Sequence, residues 1–115
     1  MKTYIAGPMR NIPLYNFPAF DEAAELGRLL GHQIVSPADL DREMGFDERR
    51  DNVSASDLRA MIVRDVVELS KCDAIALLPG WEKSSGVKVE LAVAEFLSMK
   101  VLDARDFKEQ REWAQ

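Results

Sequence analysis

The chain has 115 residues, 47% of them hydrophobic and 30% charged, with a formal net charge of −5. That length holds one domain with a real core and excludes two, so residues 1–115 read as a single domain. The acidic balance argues against a nucleic-acid-coating surface, which needs clustered Lys and Arg, yet leaves room for a small anion held by one or two local cations. A lone cysteine, Cys72, makes no internal disulfide. No signal-peptide pattern opens the chain and no apolar run reaches membrane-spanning length, so no membrane association and a cytoplasmic location are expected.

Strand and helix signals alternate. Lys2–Ala6 is a short apolar strand that stops at Gly7-Pro8. A helix is expected from Phe17 to Leu30, with Phe17, Phe20, Ala23, Ala24, Gly27 and Leu30 on one side and Gly31 as its stop. His32–Val35 is a second strand, closed by Ser36-Pro37. Residues 36–54 are polar and weakly periodic, a long excursion expected to hold a short helix. A second long helix spans residues 55–71. Asp73–Leu78 is the most continuous apolar strand, as at the centre of a parallel sheet covered on both faces. A loop over Pro79–Ser84, a helix over 85–98, a short strand at Val101–Leu102 and a polar helix over 105–114 complete the chain.

This order predicts an α/β fold: a single-domain, doubly wound, Rossmann- or flavodoxin-like three-layer sandwich on a mainly parallel sheet of four to five strands. Ligands of such sheets bind outside the carboxyl ends of the strands. Residues 7–16, 36–54 and 79–86 reach that edge. The last segment runs through Ser84, Ser85 and Gly86 into a helix start, whose free N–H groups and positive dipole end suit a phosphate or carboxylate; Ser and Gly also begin many helices as simple caps.

Two acids break the helical periodicity. At 100° per residue, Glu90 falls among Val87, Leu91, Val93, Ala94 and Leu97. Asp65 falls among Leu58, Met61, Ile62 and Leu69. A charged carboxylate on a core-facing stripe costs several kcal/mol unless it is paired, and burial raises its pKa. Two such acids, on helices flanking one strand, point to a reaction centre.

Tyr4-x-x-Gly7-x-x-Arg10, Asp65 eight residues before Asp73, and Ser84-x-Gly86-x-x-x-Glu90 together resemble the nucleoside 2-deoxyribosyltransferase superfamily. Within it the pattern is most similar to the 2′-deoxynucleoside 5′-monophosphate N-glycosidases. It also resembles short, often phage-borne relatives that share the opening Gly7-Pro8-Met9 and Asn16-Phe17-Pro18. The resemblance covers residues 2 to about 102. It implies that Glu90 is a nucleophile attacking C1′ to form a glycosyl-enzyme ester. Asp65 would assist departure of the base or orient the sugar, with Tyr4 beside the nucleophile. Arg10 and Ser84 would favour a 5′-phosphate, and Gly7 and Gly86 would belong to the same substrate-binding turns. The sequence departs from the pattern at Lys88, where a glycine is common, and over 36–54, which leaves base recognition unassigned.

The chemistry agrees with these roles. Cleaving a deoxyribosyl N-glycosidic bond builds positive charge at C1′, which one carboxylate captures while a second carboxyl protonates the leaving base. No cofactor or metal is implied, since the single His32 and Cys72 form no ligand cluster and read as structural. Each residue has a plainer reading: Glu90 as a surface acid, Asp65 as a salt-bridge partner of Arg10, Arg59 or Arg64, Tyr4 as a strand aromatic, Arg10 as a loop cation, Asp73 as a cap. Trp81, with Met9, Tyr15 and Phe17, offers either a stacking surface for a base or ordinary packing. The tail over 105–115 reads as a solvated helix from which Phe107 and Trp113 can dock on a neighbour.

Helix 85–98 also carries Val89, Ala92 and Phe96 away from Glu90, which predicts a homodimer or higher homo-oligomer. The expected function is cleavage or transfer at the N-glycosidic bond of 2′-deoxynucleotides, 5′-monophosphates favoured, or deoxynucleosides. The alternative is a non-catalytic nucleotide-binding or sensor module on the same fold.

Overall fold

Side-chain parity along four short strands decides which helix layer each residue meets. In the computed structural model, which describes residues 1–114 with side chains through Arg111, the strands are β1 (Lys2–Ala6), β2 (Gln33–Val35), β3 (Ala74–Leu77) and β4 (Lys100–Asp103). All pair in parallel, in the order β2-β1-β3-β4. The helices are α1 (Phe17–Leu29), α2 (Pro37–Glu43), α3 (Ala55–Ser70), α4 (Ser85–Phe96) and α5 (Arg105–Ala114). The expected α/β sandwich is therefore present, with four strands.

Successive strand residues face opposite layers. Ile5, Ala76 and Leu78 pack with Phe17, Phe20, Ala23 and Phe107 on the α1/α5 side. Tyr4, Ala6, Ile75 and Leu77 pack with Leu69, Val87 and Ala94 on the α3/α4 side. The register pairs Tyr4 with Ile75 and Ala6 with Leu77, so Tyr4 is sent towards α3 and α4. The chain winds outward from β1 to β2, then crosses back to β3 through α3 on the other face. The winding therefore reverses between β1 and β3, which is where such sheets bind ligands.

Local chemistry explains the element ends. Gly31 stops α1 with φ +91. Ser54 and Asp57 form a reciprocal capping box at the start of α3. Ser84 caps α4 by accepting from the Val87 N–H at 3.2 Å. The excursion after β2 holds α2, as expected. Arg42 anchors it, with a two-armed bridge to Asp21 at 2.8 and 2.9 Å and a bond to Glu48 at 2.5 Å.

Several expectations are corrected. Phe107 is buried in its own core beside the His32 ring, centroids 5.2 Å apart, so it pins α5 and is not left for a neighbour. The Trp113 side chain lies outside the described residues. Of the two readings of Tyr15 and Phe17, packing is the one seen: they pack against each other and Phe46, and the Arg42 guanidinium stacks over Phe17. Leu97 is exposed, because α4 ends at Phe96. Asp73, by contrast, is the cap read from the sequence, accepting from the Lys2 N–H at 3.0 Å.

Candidate active site

The loop after β1 and the segment after β3 open outward to form a cavity of about 820 Å³ with α3, within the range of small-molecule sites. The crossing of the two strand ends is tight. A Cβ at Gly7 would lie 2.6 Å from Leu78 Cδ1 and 2.8 Å from Leu78 Cβ, so only glycine lets β1 leave the sheet here. The loop that follows carries non-glycine residues in the left-handed region at Asn11, Leu14, Tyr15 and Asn16. It is held by the Asn16 amide donating to the Pro8 carbonyl at 2.9 Å and the Tyr15 hydroxyl donating to the Asp51 carbonyl at 3.2 Å. Such conformations cost of order 1 kcal/mol each and gather where a site needs a fixed shape.

Both misplaced acids line the cavity. The apolar stripe around Asp65 is only partly a core stripe. Leu69 is fully buried, whereas Leu58, Met61 and Ile62 form cavity wall. Glu90 is 6% exposed, deeper than Asp65, and its Oε2 accepts a short hydrogen bond from the Tyr4 hydroxyl. Tyr4 is wholly buried and off the cavity wall, so its hydroxyl meets that carboxylate and not the cavity. Lys88 points to the surface, which accounts for its tolerance two residues before Glu90.

Burial dominates the electrostatics. It pushes the Glu90 carboxyl up to about 7; the Tyr4 hydrogen bond works against this and the charge of Asp65 adds to it. It pushes Asp65 up to about 6, opposed by Arg64 and aided by Asp41. The Tyr4 phenol is held well above its usual range by burial and by Glu90, so it stays a donor. With two acids titrating together, the singly protonated pair is the main species between about pH 6 and 7.

Gly7, Arg10, Ser84 and Gly86 also line the cavity, with Arg10 exposed at its mouth. The Ser84 oxygen is occupied by the Val87 N–H, which leaves the hydroxyl hydrogen free to be donated. Lys83 is a second cation on the cavity lining. Trp81 is the exception among the expected binding residues. It packs half-buried against the Tyr4–Leu77 cluster and does not reach the cavity.

Asp41 and Arg64 complete the site and were not singled out as functional. Asp41 lines the cavity from the end of α2, and Arg64 bonds both Asp41 and Asp65 at 2.6 Å. Asp41 was hidden in an aperiodic, acid-rich stretch; its one local signal is the apolar-flanked Pro37–Glu43 helix. Among the described residues no group of three or more His, Cys, Asp or Glu is arranged to hold a metal ion. No described helix is long and apolar enough to cross a membrane.

Comparisons with known proteins bear on this geometry. Among solved structures the chain superposes on a 2-deoxyribosyltransferase from the psychrotolerant bacterium Bacillus psychrosaccharolyticus. The TM-score is 0.63 and the identity 22%, over 88% of this chain and 69% of that one. That likeness establishes a shared fold. No curated protein matches. The model of a domain of unknown function, DUF4406, matches residues 1–103. Spanned almost end to end by that model, the chain belongs to the DUF4406 family.

Proposed function

We propose that the chain cleaves or transfers the N-glycosidic bond of 2′-deoxynucleotides, with 5′-monophosphates favoured over free deoxynucleosides. The observation that carries this reading is the buried Glu90 carboxylate on the cavity wall, held from behind by the Tyr4 hydroxyl, with Asp65 on the same cavity. A binding module has no use for two desolvated acids, each of which costs stability.

A Glu90 oxygen bonds to C1′ as the C1′–N bond breaks, and its electron pair leaves with the base. Asp65 gives its proton to the departing base nitrogen. Water or a second base then attacks C1′, Asp65 takes the proton released, and Glu90 is freed. This needs Glu90 ionised and Asp65 protonated. Burial raises both carboxyls, so the pair retains a proton near neutral pH for Asp65 to carry. Positive charge growing at C1′ beside Glu90 favours the ionised Glu90 in the transition state.

The aliphatic wall of Met9, Ile12, Leu58, Met61 and Ile62 suits a flat base, and Arg10, Lys83 and the Ser84 hydroxyl suit a phosphate. The 2-deoxyribosyltransferase sharing the fold supports the choice of sugar chemistry. The protein acts as a homodimer or higher homo-oligomer in the cytoplasm, without nucleic acid, membrane or cofactor. Val63 and Val67 on α3, with Val89 and Phe96 on α4, are exposed apolar residues suited to such contacts. The test is incubation with a panel of deoxynucleosides and 5′-monophosphates, with and without acceptor base, following free and exchanged base. Release by the wild type but not by Glu90→Gln supports the reading. Binding without turnover would instead identify a nucleotide sensor.

A further inference from the structure

Two acids approach one nitrogen. Arg64 Nη2 donates to Asp41 Oδ1 at 2.6 Å and to Asp65 Oδ1 at 2.6 Å, so these oxygens lie no more than about 5 Å apart. Arg64 Nε donates to the same Asp65 oxygen at 3.1 Å, and Nη1 turns to the Met44 sulfur at 2.9 Å. The guanidinium therefore does not grip both oxygens of Asp65. Asp65 Oδ2 has no hydrogen-bond partner among the described residues, and its residue lines the cavity.

We propose that Asp41 is a positioning residue for the proton donor: by holding one arm and half the charge of Arg64, it keeps Asp65 able to carry a proton to the leaving base. This rests on the reading of Asp65 as that donor. An aspartate with an arginine to itself is held ionised at neutral pH and has no proton to give. Here Asp41, almost fully buried, neutralises the same cation and sets a second negative charge beside Asp65. Asp65 then behaves as a half-buried acid next to a neutral pair, in keeping with the direction in which its proton affinity is displaced. The other groups facing this cluster are Glu90 from α4, whose hold on its proton the charge of Asp65 strengthens, and the Tyr4 phenol from β1, which stays neutral. Arg42, the remaining cation on α2 near Asp41, is committed to Asp21 and Glu48.

The discriminating variant is Asp41→Asn, which keeps an oxygen for Arg64 and removes the charge. Asp41→Ser is the second variant, should the first not fold. The Asp65 carboxyl carbon is followed by ¹³C NMR across pH in the resting protein, which needs no substrate. Its midpoint is expected to fall by about one unit in either variant, and to rise in Arg64→Gln. With a substrate that turns over, kcat near neutral pH falls about tenfold while KM holds, because one unit is one factor of ten in the protonated fraction. An unchanged Asp65 midpoint overturns the proposal, whether or not any base is released. A raised KM with unchanged kcat overturns it too, making Asp41 a substrate contact. Absence of turnover in the wild type counts against the proposed function alone, since the midpoint still decides this inference.

Discussion

The Tyr4 hydroxyl donates to Glu90 Oε2 across 86 residues of sequence, joining the third residue of the five-residue strand β1 to the middle of α4. Strand parity turns Tyr4 to the α3/α4 layer, and helix periodicity turns Glu90 inward to meet it. Neither group has another side-chain partner among the described residues. The pair is thus a carboxylate aimed by a phenol, at the wall of a cavity.

The acid pair makes a pH prediction. Base release needs one proton on the pair, so kcat/KM falls as pH rises through about 7, where the last proton leaves Glu90 and Asp65 together. The acid limb overlaps the second ionisation of a substrate phosphate near 6, so the alkaline limb is the diagnostic one. The Tyr4 hydrogen bond lowers the Glu90 value. Tyr4→Phe should therefore move the alkaline limb up by about one unit and slow the reaction about tenfold or more. A limb that stays in place in Tyr4→Phe would contradict the pairing.

Glu90 should cost the protein stability in alkali. Its carboxyl titrates near 4.5 when unfolded and near about 7 when folded, so between these values the folded state holds more protons. Stability then falls as pH rises through that window, by about 3 kcal/mol in total. Glu90→Gln has no such proton. It should be more stable than the wild type in urea unfolding at about pH 8, by up to that amount, and nearly equal at about pH 4. A difference independent of pH would show that Glu90 is not desolvated in the folded protein.

Arg10 separates nucleotide from nucleoside. As an exposed cation on the cavity lining, it is expected to hold phosphate, so Arg10→Ala should raise KM for 5′-monophosphates by about 10- to 100-fold. Free deoxynucleosides should be unaffected. Equal losses on both substrates would mean that Arg10 shapes the loop and does not bind phosphate.

Phe96 is 87% exposed in the single chain and adds little to its fold. Sedimentation of the wild type should give a dimer or larger species, and Phe96→Asp should shift it towards monomer with an unchanged circular dichroism spectrum. A monomeric wild type at high concentration would remove the homo-oligomer from the account.

Much of the fold was legible because its signals are local. Lys2–Ala6 matches its strand residue for residue, and glycine and serine caps mark α1, α3 and α4 within a residue or two. Glu90 was legible because an acid among Val87, Leu91 and Ala94 violates a period that packing enforces. Asp41 was not, because α2 has only seven residues, too few for a period to stand out, and its significance comes from Arg64, 23 residues away. Trp81 misled for a related reason. An aromatic in a loop at the ligand edge has no periodicity to report which way it turns, and this one packs against the core cluster on the α3/α4 side. Phe107 was lost in a charged helix, where one buried ring has no apolar period around it to mark it.

The central claim is that Glu90 carries the sugar. Acid-quenching the enzyme during turnover of a deoxynucleoside 5′-monophosphate, followed by mass spectrometry of its peptides, tests it directly. A deoxyribosyl phosphate ester on Glu90, chemically competent to release sugar and absent from Glu90→Gln along with base release, is the expected result. Base release that persists in Glu90→Gln, with no adduct on any peptide of the wild type, would contradict the account.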